Sequence, residues 1–171
     1  FHCVAVFRFG QFTQQFAVRH RYAAVPLKIA YAALDYLARL IHHVDIGAAT
    51  IGPGFYIGHV GTIYIGRTTI GSNVSVNHNV TIGLGFSSGL QGIPTIGDNV
   101  WIGTGSILTG HISVGDHVTI APGSVLSRNI PSGCLVAGNP AKVVLQNYVN
   151  ADVLPGLLEP DGNATLRIAR A

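Results

Sequence analysis

The stretch IGDNVWIGTGSILTGHISVGDHVTIAPGSVL, Ile96 to Leu126, decides how the chain folds. Branched aliphatic residues stand at every sixth position, at Ile96, Ile102, Leu108, Val114, Ile120 and Leu126, and Gly or another small residue follows most of them. A period of six fits neither an α-helix nor simple strand alternation. It is the hexapeptide pattern of a parallel β-helix, with one short strand and one tight turn per unit. Each aliphatic side chain points to the axis of a prism, and the Gly or Asn beside it accepts the torsions of a sharp corner. Three hexads close one triangular coil, so residues about eighteen apart stack at the strand spacing of roughly 4.8 Å.

Upstream, the repeat begins near Asp45 or Ile46 and runs through Ile51, Ile57, Ile63, Ile65, Ile70, Val76 and Ile82. The steps from Ile46 to Ile51 and from Ile65 to Ile70 are one residue short, which leaves the register before Val76 open. GLGFSSGLQGIPT, residues 83–95, is too long for a corner and too rich in Gly and Ser for a strand. It predicts an extruded loop that forms part of a binding site. Downstream the period holds to about Ile130, and PSGCLVAGNPAKVV, Pro131 to Val144, then leaves the prism through a Gly-Asn-Pro turn. The tail 145–171, with Pro155, Gly156, Pro160 and Gly162, has no period and reads as mobile or as wrapping a neighbour.

Residues 1–43 lie outside the repeat, which occupies 44–144. They read as two helices, Val4 to His20 and Pro26 to His42, with Pro26 suited to a helix start. In the second, Ile29, Ala33, Leu37 and Leu40 fall on one stripe. The expectation is a short helical cap on the open end of the prism. Peripheral membrane contact through Phe1, Phe9, Phe12 and Phe16 with Arg8, Arg19 and Arg21 is the lesser reading, because no face is strongly basic.

Of 171 residues, 48% are hydrophobic and only 10% charged, which leaves little solvating surface and points to an oligomer. The net charge of +3 comes from scarce acids, and the basic residues are dispersed, so nucleic acid is not an expected partner. Cys3 and Cys134 have no CxxC partner, which fits a reduced, cytoplasmic setting. No apolar run is long enough to span a membrane. Beginning at Phe1 and containing no Met, the sequence reads as one that has lost its native start, and a targeting segment would be lost with it.

From about Val44 to Val144 the chain resembles serine acetyltransferases and the related acetyltransferases of exopolysaccharide synthesis. The segments that carry the resemblance are GFYIGHVGTIYIG, IGSNVSVNHNVTIG, the loop ending in IPTIGDNVWIG, and GNPAKVV. It implies an all-β, left-handed parallel β-helix, an exception to the right-handed rule for parallel crossovers. It also implies acetyl-CoA as co-substrate, no metal, and a homotrimer with active sites between neighbouring chains. His59 matches the family's catalytic histidine. A hydroxyl acceptor must lose its proton as it attacks the thioester, and a neutral imidazole is suited to take it near pH 7. Asp45 is the carboxylate that would orient His59, although it precedes His59 by fourteen residues where the family has one more, and strict register puts Val44 there.

His78, nineteen residues after His59, sits at the same place in its hexad and is read as lining the site, where serine acetyltransferases usually carry Gln. Asn79, Phe86 and Gln91 join it on the acceptor side. The acetyl-CoA groove falls to Gly83, Gly103, Thr104, Pro122, Ser127, Arg128 and Lys142, with the two cations suited to phosphates.

Where serine acetyltransferases have Arg-His-Pro near the loop end, this chain has Gly92, Ile93 and Pro94, and Gly58 replaces an Asp before the histidine. A serine zwitterion would lose its charged partners, at a cost of a few kcal/mol. The first expectation is therefore a sugar or glycan hydroxyl, with Phe86, Leu90 and Ile93 against a pyranose face. Serine is the alternative. A zinc carbonic anhydrase on the same prism is disfavoured, because Thr104 and Thr109 fall in the segment where that family places two ligand histidines. His111 and His117, one hexad apart, should lie on different faces. A non-catalytic scaffold would not explain His59 and GNPAK.

Overall fold

A computed structural model describes residues 2–59, 61–87, 89–150 and 153. Two helices, α1 (His2–Arg19) and α2 (Ala24–His42), precede a three-faced stack of short strands. The first face stacks β1 (Val44–Ile46), β4 (Ile63–Ile65), β7 (Thr81–Gly83), β12 (Ile107–Thr109) and β15 (Val125–Leu126). The second stacks β2 (Thr50–Ile51), β5 (Thr69–Ile70), β10 (Thr95–Ile96) and β13 (Ser113–Val114). The third stacks β3 (Tyr56–Ile57), β6 (Ser75–Val76), β11 (Trp101–Ile102), β14 (Thr119–Ile120), β16 (Cys134–Gly138) and, last, β17 (Ala141–Gln146). Pairing within the prism is parallel, and only β17 returns antiparallel on β16.

Residue pairing gives the length of each coil. Ile57 lies beside Val76, Ile65 beside Ile82, Ile102 beside Ile120 and Ile120 beside Val136. The offsets are thus nineteen, seventeen, eighteen and sixteen, and the short step from Ile46 to Ile51 is made up between Ile57 and Ile65. Ile63 and Ile65 are both buried, paired with Val44 and Ile46. Along the axis Ile70, Ile82, Ile102, Leu108, Ile120 and Leu126 are almost fully excluded from water. Each such side chain contributes about 1.5–3 kcal/mol relative to exposure.

The loop after Ile82 is more ordered than its composition suggests. It is a hairpin, β8 (Gly85–Ser87) against β9 (Leu90–Gly92), with Phe86 opposite Gln91. Its turn end is anchored by Ser87, whose hydroxyl donates to the Ser127 carbonyl at 2.6 Å. The prism also continues past Ile130, which bridges to Val114, because Cys134–Gly138 adds a further strand to the third face. The step of four from Leu126 to Ile130 hides this continuation in the sequence. The start of the tail is fixed: Tyr148 N–H donates to Gly133 O at 2.8 Å and Asn150 Nδ2 to Asn99 O at 2.7 Å. Pro155, Gly156, Pro160 and Gly162 lie outside the described residues.

Capping falls to α1. Cys3 and Phe7 join the core beside Val44 and Ile46, and burial pushes the Cys3 thiol up from its ordinary range. Arg8 donates to Ile51 O at 2.7 Å and to Gly52 O, so it is a structural clamp and not a free surface cation. α2 packs on α1, with Tyr31 lying over Gly10, where an added Cβ would stand 2.5 Å from the ring. Burial, then the Asp35 carboxylate, raises the Tyr31 phenol above its usual range. The contact side of α2 is Ala24, Leu27, Tyr31, Asp35 and Ala38. This corrects the expected stripe, since Ile29, Ala33, Leu37 and Leu40 are all exposed. The helix is apolar nearly all round, and the notch at Gly10 selects the face that period alone leaves open. No helix among the described residues is long and apolar enough to cross a membrane.

Ile102→Ala should destabilise the chain by about 2–5 kcal/mol, as expected for a large-to-small change in a closed core. Denaturant unfolding of the variant beside wild type checks this, and a loss under about 1 kcal/mol would contradict the axial packing.

Candidate active site

The nineteen-residue first coil determines where the histidines meet. Ile57 pairs with Val76, Val76 with Ile102 and Ile102 with Ile120, so the residues two further on form one column. They are His59, His78, Thr104 and Pro122, at the corner where the third face turns into the first. Backbone bonds tie the column together: Gly105 N–H donates to His78 O at 3.1 Å and Gly123 N–H to Thr104 O at 2.8 Å.

His59 is exposed, and its ring meets that of His78 edge-on, with centroids 5.9 Å apart and planes at 77°. His78 is half-buried, and its Nδ1 is enclosed without a hydrogen-bond partner. The corner beneath is close-packed. A Cβ on Gly58 would stand 2.6 Å from Asn77 Oδ1, and Asn77 is itself buried, with Nδ2 donating to Ile102 O at 3.2 Å. Gly103 is similarly constrained, its added Cβ falling 2.6 Å from the Pro122 nitrogen. That close approach accounts for the glycine there without a ligand.

A second column lies across the first face. Gly83 pairs with Thr109, and Ser127 follows Leu126, the partner of Leu108, at the corner leading to the second face. The hairpin leaves from this corner and presents Phe86, Leu90 and Gln91 to solvent, with Arg128 exposed nearby. Lys142 sits on β17 opposite Ala137, beyond the Pro122 end of the first column. Thus His59, His78, Thr104 and Pro122 are brought together, while Gly83, Ser127, Phe86 and Gln91 gather on the opposite edge of the same face. Between them the outward residues Tyr64, Thr81, Ile107 and Val125 form a row. Tyr64 and Thr109 were not picked out from the sequence. Their signal is the coil offset, readable only once the register is known.

Two of the expected site residues have structural engagements of their own. Asn79 has a left-handed backbone, φ 58°, as do the corner residues Asn73, Asn99 and His117, so it also serves the turn. Asp45 faces Arg39 of α2 at 3.2 Å, and Arg39 also holds Asp35 at 2.7 Å. No ion pair joins Asp45 to His59 among the described residues. His111 stands beside Gly92 and His117 on a different corner, and no group of three or more His, Cys, Asp or Glu gathers among the described residues.

Residues 93–128 match the family model described as bacterial transferase hexapeptide (six repeats). Over 77 residues the chain is 42% identical to a serine acetyltransferase of Helicobacter pylori, an overlap covering 43% of this chain and 44% of that protein. The solved serine acetyltransferase of Neisseria gonorrhoeae in complex with serine superposes with a TM-score of 0.66 at 28% identity, covering 85% of this chain and 57% of that one. A serine acetyltransferase solved in complex with CoA gives 0.62 at 26% identity, covering 81% and 55%. The chain therefore spans less than half of the curated relative and little over half of each solved chain. The fold is the left-handed parallel β-helix, and the chain resembles serine acetyltransferases within it.

Arg39 and Asp45 are both partly exposed, at 45% and 37% of the side chain. A double-mutant cycle of Arg39→Gln and Asp45→Asn in denaturant unfolding should give a coupling of about 0.2–1 kcal/mol. A coupling indistinguishable from zero would remove Arg39 as the partner of Asp45.

Proposed function

We propose that the chain transfers the acetyl group of acetyl-CoA to a hydroxyl, with His59 as general base and L-serine as the acceptor its relatives favour. The observation that carries the reading is the corner column, with His59 exposed at one end and Thr104 and Pro122 on the following coils. The acceptor hydroxyl gives its proton to the imidazole as its oxygen attacks the thioester carbonyl. The carbon–sulfur bond then breaks, and the departing sulfur takes the proton back from His59. The thioester is already activated, so no acyl-enzyme is needed. Among the described residues no ion pair joins a carboxylate to His59, and the ring against it is that of His78.

Thr104, Pro122 and Lys142 would border the CoA arm along this corner. Gly83, Ser127 and Arg128 stand on the other edge of the face, so their part in the groove requires a neighbouring copy. That separation supports a homotrimer, as does the half-exposed row of Tyr64 and Ile107 between the columns. Dependence on acetyl-CoA fits a cytoplasmic setting, in which both buried cysteines stay free.

A neutral sugar hydroxyl, the first expectation from sequence, becomes the second reading, because the similar proteins are serine acetyltransferases and one was solved with serine. Crowding at two glycines keeps it in contention. An added Cβ would stand 2.6 Å from Asn77 Oδ1 at Gly58 and 2.6 Å from His111 Cβ at Gly92, so a charged clamp at either position would require its neighbour to shift. The hairpin beside them exposes Phe86 and Leu90 instead.

CoA release followed by thiol titration, with L-serine, UDP-glucose and maltotriose as separate acceptors, decides between them. Release with serine and not with the sugars is the expected result, and His59→Ala should lower the rate about 10²–10⁴-fold. Release with a sugar alone would replace serine as acceptor. No release with any acceptor, or full activity in His59→Ala, would overturn the acetyl-transfer reading.

A further inference from the structure

His78 occupies the coil between the two parts that the proposed reaction must join. The column runs His59, His78, Thr104, Pro122, one residue per coil. If His59 serves the acceptor hydroxyl and Thr104 and Pro122 border the CoA arm, the acetyl carbonyl that links them lies beside His78. The His59 ring meets the His78 ring edge-on, Gly61 lies against the His78 Cβ, and Thr104 follows on the next coil.

The ring itself is constrained. Its Nδ1 is buried with no hydrogen-bond partner, which leaves Nε2 as the outward nitrogen. An enclosed N–H with no acceptor is more costly than an enclosed lone pair, so the ring proton belongs on Nε2. An apolar ring would fill the same space without stranding a polar atom, so packing does not explain a histidine here.

We propose that His78 is an oxyanion donor, giving its Nε2–H to the carbonyl oxygen of the acetyl thioester. The proposal rests on the acetyl-transfer reading above. In the step concerned His59 takes the hydroxyl proton, the acceptor oxygen bonds to the carbonyl carbon, and the carbonyl π pair moves onto its oxygen, where His78 meets the charge. The pair then returns, the carbon–sulfur bond breaks, and the thiolate leaves and takes the proton from His59. Atoms and charge balance without an oxidant or a metal.

The test compares His78→Gln, His78→Phe and His78→Ala with wild type and His59→Ala, using acetyl-CoA and L-serine or whichever tested sugar supports release. Gln keeps an N–H donor and should hold kcat within about threefold. Phe and Ala, which do not, should lower kcat about 10²-fold or more, with both KM values within about twofold. Thermal unfolding of each variant separates this from loss of fold, since Phe should unfold no earlier than wild type. ¹⁵N-histidine NMR of the wild type should show His78 as the Nε2–H tautomer. A fully active His78→Phe, a loss confined to KM, or the Nδ1–H tautomer would overturn the donor role while leaving His59 as base. An inactive wild type, or an active His59→Ala, would remove the acetyl-transfer reading and this proposal with it.

Discussion

Each coil of the prism is held to the next by backbone hydrogen bonds: Tyr56 N–H to Val74 O at 2.9 Å, Ser75 N–H to Val100 O at 2.9 Å, Trp101 N–H to Val118 O at 3.0 Å. These bonds fix which residue lies above which, and a slip of one residue would turn every side chain of a strand to the opposite face. Irregular coil lengths therefore have to be absorbed at corners. The extra residues of the first coil enter between Ile57 and Ile65, and the largest insertion leaves as the hairpin between Ile82 and Ile96. The strands stay aligned throughout. The meeting of His59 and His78 is a consequence of that accommodation, because their separation of nineteen positions equals the length of that coil.

This also explains which features could be read in advance. The axial aliphatics from Ile96 to Leu126 were legible because burial at the prism axis recurs there every sixth residue. The shared hexad place of His59 and His78 was legible, but their alignment with Thr104 and Pro122 crosses the hairpin insertion and emerges only from the strand register. The contact face of α2 was not, since apolar residues surround that helix and the deciding event is Tyr31 settling over Gly10, twenty-one residues earlier in the chain. Nor was the engagement of Asp45 with Arg39, which joins a helix to a strand and leaves no periodic trace. The extruded loop was legible but its internal hairpin was not, because Gly and Ser normally weaken strands. Here Gly92 is required by its approach to His111, and Ser87 by its bond to Ser127.

The acceptor question reduces to where charge can be met. A serine acceptor carries an ammonium and a carboxylate, and leaving either unpaired in a closed site is costly. Around His59 the column offers His78, Thr104 and Pro122, a side chain at 58 would have to displace the Asn77 amide, and Asp45 is already engaged by Arg39. The exposed cations nearest in register to the hairpin are Arg67 and Arg128, two residues past Ile65 and Leu126 on the first face. They stand at the corner opposite His59. Within one chain His59 and these cations are on different edges of the same face, so a carboxylate held by an arginine could reach His59 only of a neighbouring copy. Recognition of serine would then be coupled to assembly, whereas a neutral sugar would need only the column and an apolar surface beside it.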